Sequence, residues 1–274
     1  MTRRIILHFG APKAGSTFLQ RVLLQNTDRL AAAGVAYPHD GSGHPGNAEA
    51  ISRLTRTGFE ALFASGAATV ILSHEYLFAK VDDARKLAKL AAAANVTIQK
   101  LVFLRPWSEF CCGDFSQHLK QNFEVYLAAR RAYGGKSLED MAQGRAAELD
   151  PANYFVHWSR AIPLPALTIA SHRAIPATVE GMLGGPGLNW VLPRHMANPS
   201  LRLTDCEAIA AMIDDPSVPA DQVREAFQTA HHHTSDPDPA RSPERMARIE
   251  AMFARHNDAL RDIYQFDNRL PVSS

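Results

Sequence analysis

Two patterns of apolar positions alternate along roughly the first 170 residues. Short unbroken runs occur at Arg3-Arg4-Ile5-Ile6-Leu7-His8-Phe9, at Thr69-Val70-Ile71-Leu72-Ser73, within 96–104 around Leu101-Val102-Phe103-Leu104, and at Leu167-Thr168-Ile169-Ala170. Between them apolar residues recur at helical spacing: Leu19, Val22, Leu23 and Leu30 from about Ser16, then about 82–94, then a long stretch from about Trp107 to Tyr133. Gly34 stops the first helical stretch, and Val35-Ala36-Tyr37 before Pro38 predicts a short edge strand. Unbroken apolar strands separated by helices predict a parallel sheet covered on both faces. From about residue 198 only helical spacing remains. Thr204-x-x-Glu207 has the form of a capping box, and Ser242-Pro243 places an N-cap before a first-turn proline. The last predicted helix carries Met246, Ile249, Phe253, Leu260 and Ile263 on one face. The expected architecture is a three-layer α/β domain with a parallel sheet of four or five strands, plus a C-terminal helical extension. The chain reads as a single domain over 1–274, with the α/β core at about 1–197 and the extension at about 198–274. The segment 235–243 is the expected mobile loop.

Composition narrows the class. The chain has 274 residues, 46% hydrophobic and 21% charged, enough for a sizeable core. Lys plus Arg is 29 against 28 Asp plus Glu, a near-balance that disfavours a nucleic-acid partner. No run approaches the roughly 18 to 20 apolar residues that span a bilayer. The first residues enter a strand at once, with no signal-peptide pattern. Cys111, Cys112 and Cys206 form no disulfide framework and no CxxC pair. A soluble, cytoplasmic protein is expected.

The strongest local signal is His8-Phe9-Gly10-Ala11-Pro12-Lys13-Ala14-Gly15-Ser16-Thr17, between a strand and a helix. Backbone N–H groups and the positive helix end can hold an anion there. Gly10 and Gly15 have the spacing of the GxxxxGK[ST] nucleotide loop, but Ser16 follows Gly15 and the lysine, Lys13, sits inside the loop. A metal-dependent nucleotide hydrolase normally places a carboxylate at a neighbouring strand end. Here the neighbouring strands end in Ser73-His74-Glu75 and Leu104-Arg105, which points to transfer chemistry that does not depend on Mg²⁺.

These stretches resemble the sulfotransferases that use 3′-phosphoadenosine 5′-phosphosulfate (PAPS), bacterial members of which carry a loop like HFGAPKAGSTFLQ and a strand ending in Leu-Arg-Pro before a long helix. Leu72-Ser73-His74-Glu75 and Asn198-Pro199-Ser200-Leu201 look similar to weaker features of the same P-loop-like proteins. The resemblance covers roughly residues 3 to 120, with fainter support to about 205. It implies that Gly10, Ala11, Pro12, Lys13, Ala14, Gly15, Ser16 and Thr17 hold the 5′-phosphosulfate, with Lys13 steadying charge on the leaving phosphate oxygen. It implies that Arg105 binds the 3′-phosphate. The family serine eight residues beyond that arginine is Gly113 here, with Ser116 one helical turn further on. Glu75, with His74 second, is the expected general base. The co-substrate is then PAPS, the product adenosine 3′,5′-bisphosphate, and no metal is required. The acceptor is expected to be a carbohydrate or other small metabolite with a hydroxyl or amine.

Two other readings remain open: a P-loop kinase or nucleotide phosphotransferase, and a non-catalytic nucleotide-binding protein of the same fold. His8 reads as structural. His231-His232-His233 lacks acidic or cysteine partners at metal-ligand spacing. Trp107, Phe110 and Phe115 read as core.

Overall fold

The computed structural model describes residues 2–75, 77, 80–193 and 199–270. Five strands form one all-parallel sheet: β1 (Arg4–Phe9), β2 (Val35–Ala36), β3 (Thr69–His74), β4 (Thr97–Leu104) and β5 (Thr168–Ser171), in the order β2-β3-β1-β4-β5. The helices are α1 (Ser16–Gln25), α2 (Thr27–Ala32), α3 (Arg56–Ala61), α4 (Val81–Ala93), α5 (Trp107–Ala129) and α6 (Leu138–Glu148). They continue with α7 (Pro151–Ala161), α8 (Ile175–Leu183), α9 (Leu203–Asp214), α10 (Ala220–Ala230), α11 (Pro243–Met252) and α12 (Ala254–Tyr264). No helix among the described residues is long and apolar enough to cross a membrane.

The chain forms two compact units. One comprises Met1–Arg105, Asp150–Ala197 and Ala259–Phe266 and contains the whole sheet; the other comprises Pro106–Leu149, Asn198–Asp258 and Asp267–Ser274 and is helical. The helical unit therefore takes in 106–149 as well as most of the expected C-terminal stretch, of which 259–266 belongs to the sheet unit.

In the sheet unit β1 lies at the centre, and Ile5 to Phe9 are all buried. Phe9 stacks on Trp158 of α7, with ring centroids 4.3 Å apart and planes 7° from parallel. Beyond the two residues of β2, Asn47 continues the pairing with β3. Its side chain donates to Ile71 O at 2.8 Å and accepts from Ser73 N at 2.8 Å, and its own N–H reaches Ser73 O at 3.0 Å.

The structure corrects several local expectations. The helix begun at Ser16 breaks at Asn26, whose amide turns back to Val22 O, so Leu30 belongs to α2. The long helix from Trp107 stops at Ala129, where Arg130 takes φ 48°. Thr204 is not an N-cap: α9 begins at Leu203, and Asp238 accepts from Leu203 N, Thr204 N and Thr204 Oγ1. Those bonds also tie down the 235–243 segment that composition marks as mobile. Ser242 does cap α11, accepting from Arg245 N, with Pro243 in the first turn. The last apolar stripe is split between α11 and α12, and Ile263 is exposed while Met246, Ile249, Phe253 and Leu260 are buried. The three cysteines are free and buried.

Lys100 of β4 is fully buried, and burial lowers its pKa. Its ammonium donates to Ile162 O, at the C-terminal end of α7, and to Pro165 O at 2.7 Å. A cation suits a helix C-terminus, where carbonyls lack intrahelical donors. Lys100→Met is expected to leave both carbonyls without that donor and to cost about 1–3 kcal/mol of stability, read by urea denaturation at neutral pH.

Candidate functional site

Gly10 to Gly15 carry the chain from β1 into α1. Lys13 has φ 59° and Gly15 φ 89°, with Ala14 between them on the ordinary side. Alternation of hand brings successive N–H groups to one concave side, an anion-binding nest. Ala14 N donates to Ala11 O at 3.3 Å and closes the turn. A Cβ on Gly10 would lie 1.9 Å from Ser16 Oγ, so only glycine lets that hydroxyl tuck beneath the loop. A Cβ on Gly15 would lie 2.7 Å from Ile175 Cδ1.

The N-terminus of α1 is left open. Gly15 supplies no capping side chain, and the first turn holds no acidic residue. Its leading N–H groups and the positive end of the helix dipole thus remain for an external acceptor. The start of α5 is different: Glu250 accepts from both Ser108 N and Ser108 Oγ at 2.8 Å and fills that end. Ser16 Oγ is buried and has no hydrogen-bond partner. A buried polar atom in that state is costly unless something occupies it.

Two neighbouring strand ends flank the loop. In the β1–β3 register Phe9 lies opposite His74, so Glu75 follows immediately. The Glu75 Cα lies 3.5 Å from where a Gly10 Cβ would stand. Arg105 directly follows β4, on the other side of β1. Lys13, Glu75 and Arg105 therefore leave three adjacent parallel strands at their C-terminal ends, the edge where open α/β sheets bind ligands. All three side chains are half-buried, as is Thr17, while Pro12 is exposed and Ala11 and Ala14 are buried.

His74 behaves differently from Glu75. It is buried inside β3, and its ring stacks on His44 at 4.8 Å. Burial, followed by the charge of His44, lowers its pKa. His44 is itself oriented by accepting the Gly46 N–H on Nδ1 at 3.0 Å. A Cβ on Gly46 would come within 3.0 Å of both rings and of Ser73 O, so glycine permits this stack.

Sequence reasoning missed a buried polar network beneath the loop. His8 Nδ1 lies 2.8 Å from Ser73 Oγ, which also accepts from Gln20 Nε2 at 3.1 Å. The network joins β1, β3 and α1. It also missed His172 and Arg173, which follow β5 at the same sheet edge just before Ile175. Their only sequence signal is position after a strand.

Gly113 and Ser116 are buried in α5 of the helical unit, where Ser116 Oγ accepts from Leu201 N at 2.8 Å. Asn198 lies outside the described residues. Trp107 is core, stacked on Phe253 with planes 9° apart. His231 packs edge-on against Phe227, and no metal-ligating cluster occurs among the described residues.

Burial lowers the His8 pKa to about 4 from an unfolded value near 6.5. Between those values the unfolded state binds the extra proton, so stability falls as pH drops through that window. About 3 kcal/mol is at stake. Urea titrations at pH 7 and pH 4.5 should show a smaller acid loss for His8→Asn than for the parent; equal losses would remove His8 as the cause. Compared as a whole, the chain matches no family profile, no curated protein and no solved structure.

Proposed function

We propose that this protein transfers the sulfuryl group of PAPS to a hydroxyl or amine on a carbohydrate or other small metabolite. The observation that carries the reading is the open α1 N-terminus with its buried, unpartnered Ser16 hydroxyl, wrapped by a loop that contains Lys13. An anionic ligand answers all three features. The half-buried Arg105 at the adjacent strand end supports a second anionic group on the same ligand, as in a nucleotide phosphorylated at both 3′ and 5′ positions.

In the proposed step the acceptor oxygen or nitrogen attacks sulfur in line. The bond from sulfur to the bridging phosphate oxygen breaks, and the electron pair stays on that oxygen. Lys13 and the loop amides hold the developing charge on adenosine 3′,5′-bisphosphate. The acceptor proton passes to the Glu75 carboxylate. Glu75 is preferred to His74 because His74 is buried and committed to the His44 stack. His74 then acts as a packing residue under the loop.

One observation favours a second reading. Glu75 stands beside the phosphate loop, where a carboxylate could serve a nucleotide–Mg²⁺ complex in a phosphotransferase. Thermal shift separates the two. Adenosine 3′,5′-bisphosphate should raise the melting temperature more than adenosine 5′-phosphate or ATP–Mg²⁺; stabilisation by ATP–Mg²⁺ alone would support the kinase. Arg105→Ala should weaken adenosine 3′,5′-bisphosphate about 10- to 100-fold and barely change adenosine 5′-phosphate. Lys13→Ala should weaken both ligands. With an acceptor in hand, Glu75→Gln should slow transfer about 10²- to 10⁴-fold at nearly unchanged nucleotide affinity.

A further inference from the structure

A separate cleft of about 410 Å³ lies wholly within the helical unit, between α5 and α6. On α5, Asp114, His118, Asn122 and Tyr126 succeed one another at four-residue spacing and form one stripe. Arg145 of α6 organises the polar wall. Its Nε donates to Asp114 Oδ2 at 2.9 Å, Nη1 to Glu148 Oε2 at 3.3 Å, and Nη2 to His118 Nε2 at 3.3 Å. A guanidinium can only donate, so in this contact His118 Nε2 is the acceptor.

Two backbone features stand at this cleft. Gly144 sits inside α6, where glycine is the poorest former after proline, and a Cβ there would meet nothing within 4 Å. Tyr133 takes φ 51°, ψ 17°, an uncommon conformation for an aromatic residue. It is held by stacking on Phe115 at 3.8 Å and by donating its hydroxyl to Phe115 O at 3.2 Å. Its ring stands beside Tyr126, with centroids 5.4 Å apart, as the aromatic wall of the cleft. Backbone held away from its preferred conformation clusters at ligand sites.

The chemistry of the walls narrows the ligand. Arg145 is held between Asp114 and Glu148, and Lys136 and Asp140 line the same cleft, so cationic and anionic groups alternate along its walls and neither sign forms a cluster that would draw a strongly charged molecule. The cleft offers adjacent planar donors and acceptors together with aromatic rings. Vicinal hydroxyls bridge such planar pairs, and the C–H face of a pyranose lies against a ring. We infer that this cleft binds a neutral saccharide, with Gly144 leaving the room and Tyr126 with Tyr133 supplying the stacking wall. The inference is independent of the sulfuryl-transfer reading and is tested by binding alone.

The test is saturation-transfer NMR and calorimetry on the full chain with D-glucose, D-galactose and N-acetyl-D-glucosamine, and with adenosine 5′-phosphate as the non-saccharide probe. At least one sugar should bind with a dissociation constant of about 1 mM, a usual strength for a small ligand with few contacts. Gly144→Leu should fill the cleft and weaken that sugar at least about tenfold, with a melting temperature equal to or above the parent's because leucine is the better helix former. Tyr126→Ala should weaken it as well. The inference is overturned if none of the sugars binds at about ten times that concentration, or if sugar binding survives Gly144→Leu. Loss of adenosine 5′-phosphate binding in Gly144→Leu, with no sugar bound by the parent, would overturn the ligand class.

Discussion

β1 is hydrogen-bonded to a parallel strand on each side, and that double pairing determines where the candidate groups emerge. Because β3 and β4 run in the same direction as β1, their C-terminal ends lie at the edge where the chain turns through Gly10–Gly15. Lys13, Glu75 and Arg105 share this edge although about 90 residues separate the first from the last. An antiparallel neighbour would have sent Glu75 or Arg105 to the opposite end. The buried side chains of β1, with Phe9 against Trp158, keep this register from slipping by one residue and turning every side chain over.

Several helix N-termini are closed by a side chain of this chain, and that of α1 is not. Side chains cap several helices within the chain: Thr55 for α3, Ser137 for α6, Asp150 for α7 and Ser242 for α11. Asp238 serves α9 and Glu250 serves α5 from distant sequence. At α1 the capping position is Gly15, and the buried hydroxyl of the first turn, Ser16 Oγ, is unpartnered. The polarity left there is concentrated by a loop whose hand alternates at Lys13 and Gly15.

Much of this organisation is legible in the residues themselves. The four longer strands announce themselves as unbroken apolar runs, and the loop from Gly10 to Gly15 by two glycines and a lysine between a strand and a helix. What stayed hidden depends on contacts remote in sequence. Thr204-x-x-Glu207 looks like a local cap, but the carboxylate that serves α9 comes from Asp238. The break at Asn26 arises from a side-chain amide folding back on Val22, which apolar spacing does not encode. For α6 and α7 local signals exist in Ser137-x-x-Asp140 and Asp150-Pro151, yet weak apolar periodicity in α6 conceals its boundaries. The different surroundings of His74 and Glu75 could not be read from order along the chain. Those of His74 depend on the His44 stack, made possible by a glycine at position 46.

Asn47 has a consequence for how this sheet meets other chains. A parallel strand with unpaired N–H and C=O groups is a template on which a foreign strand can add. β2 shields only the first two residues of β3, yet β3 is buried along its whole length and apolar over Val70–Leu72. By occupying Ile71 O, Ser73 N and Ser73 O, one asparagine imitates the missing rungs of the ladder. The sheet is thereby terminated at this border by a side chain. A buried strand is withheld from intermolecular pairing by one side chain.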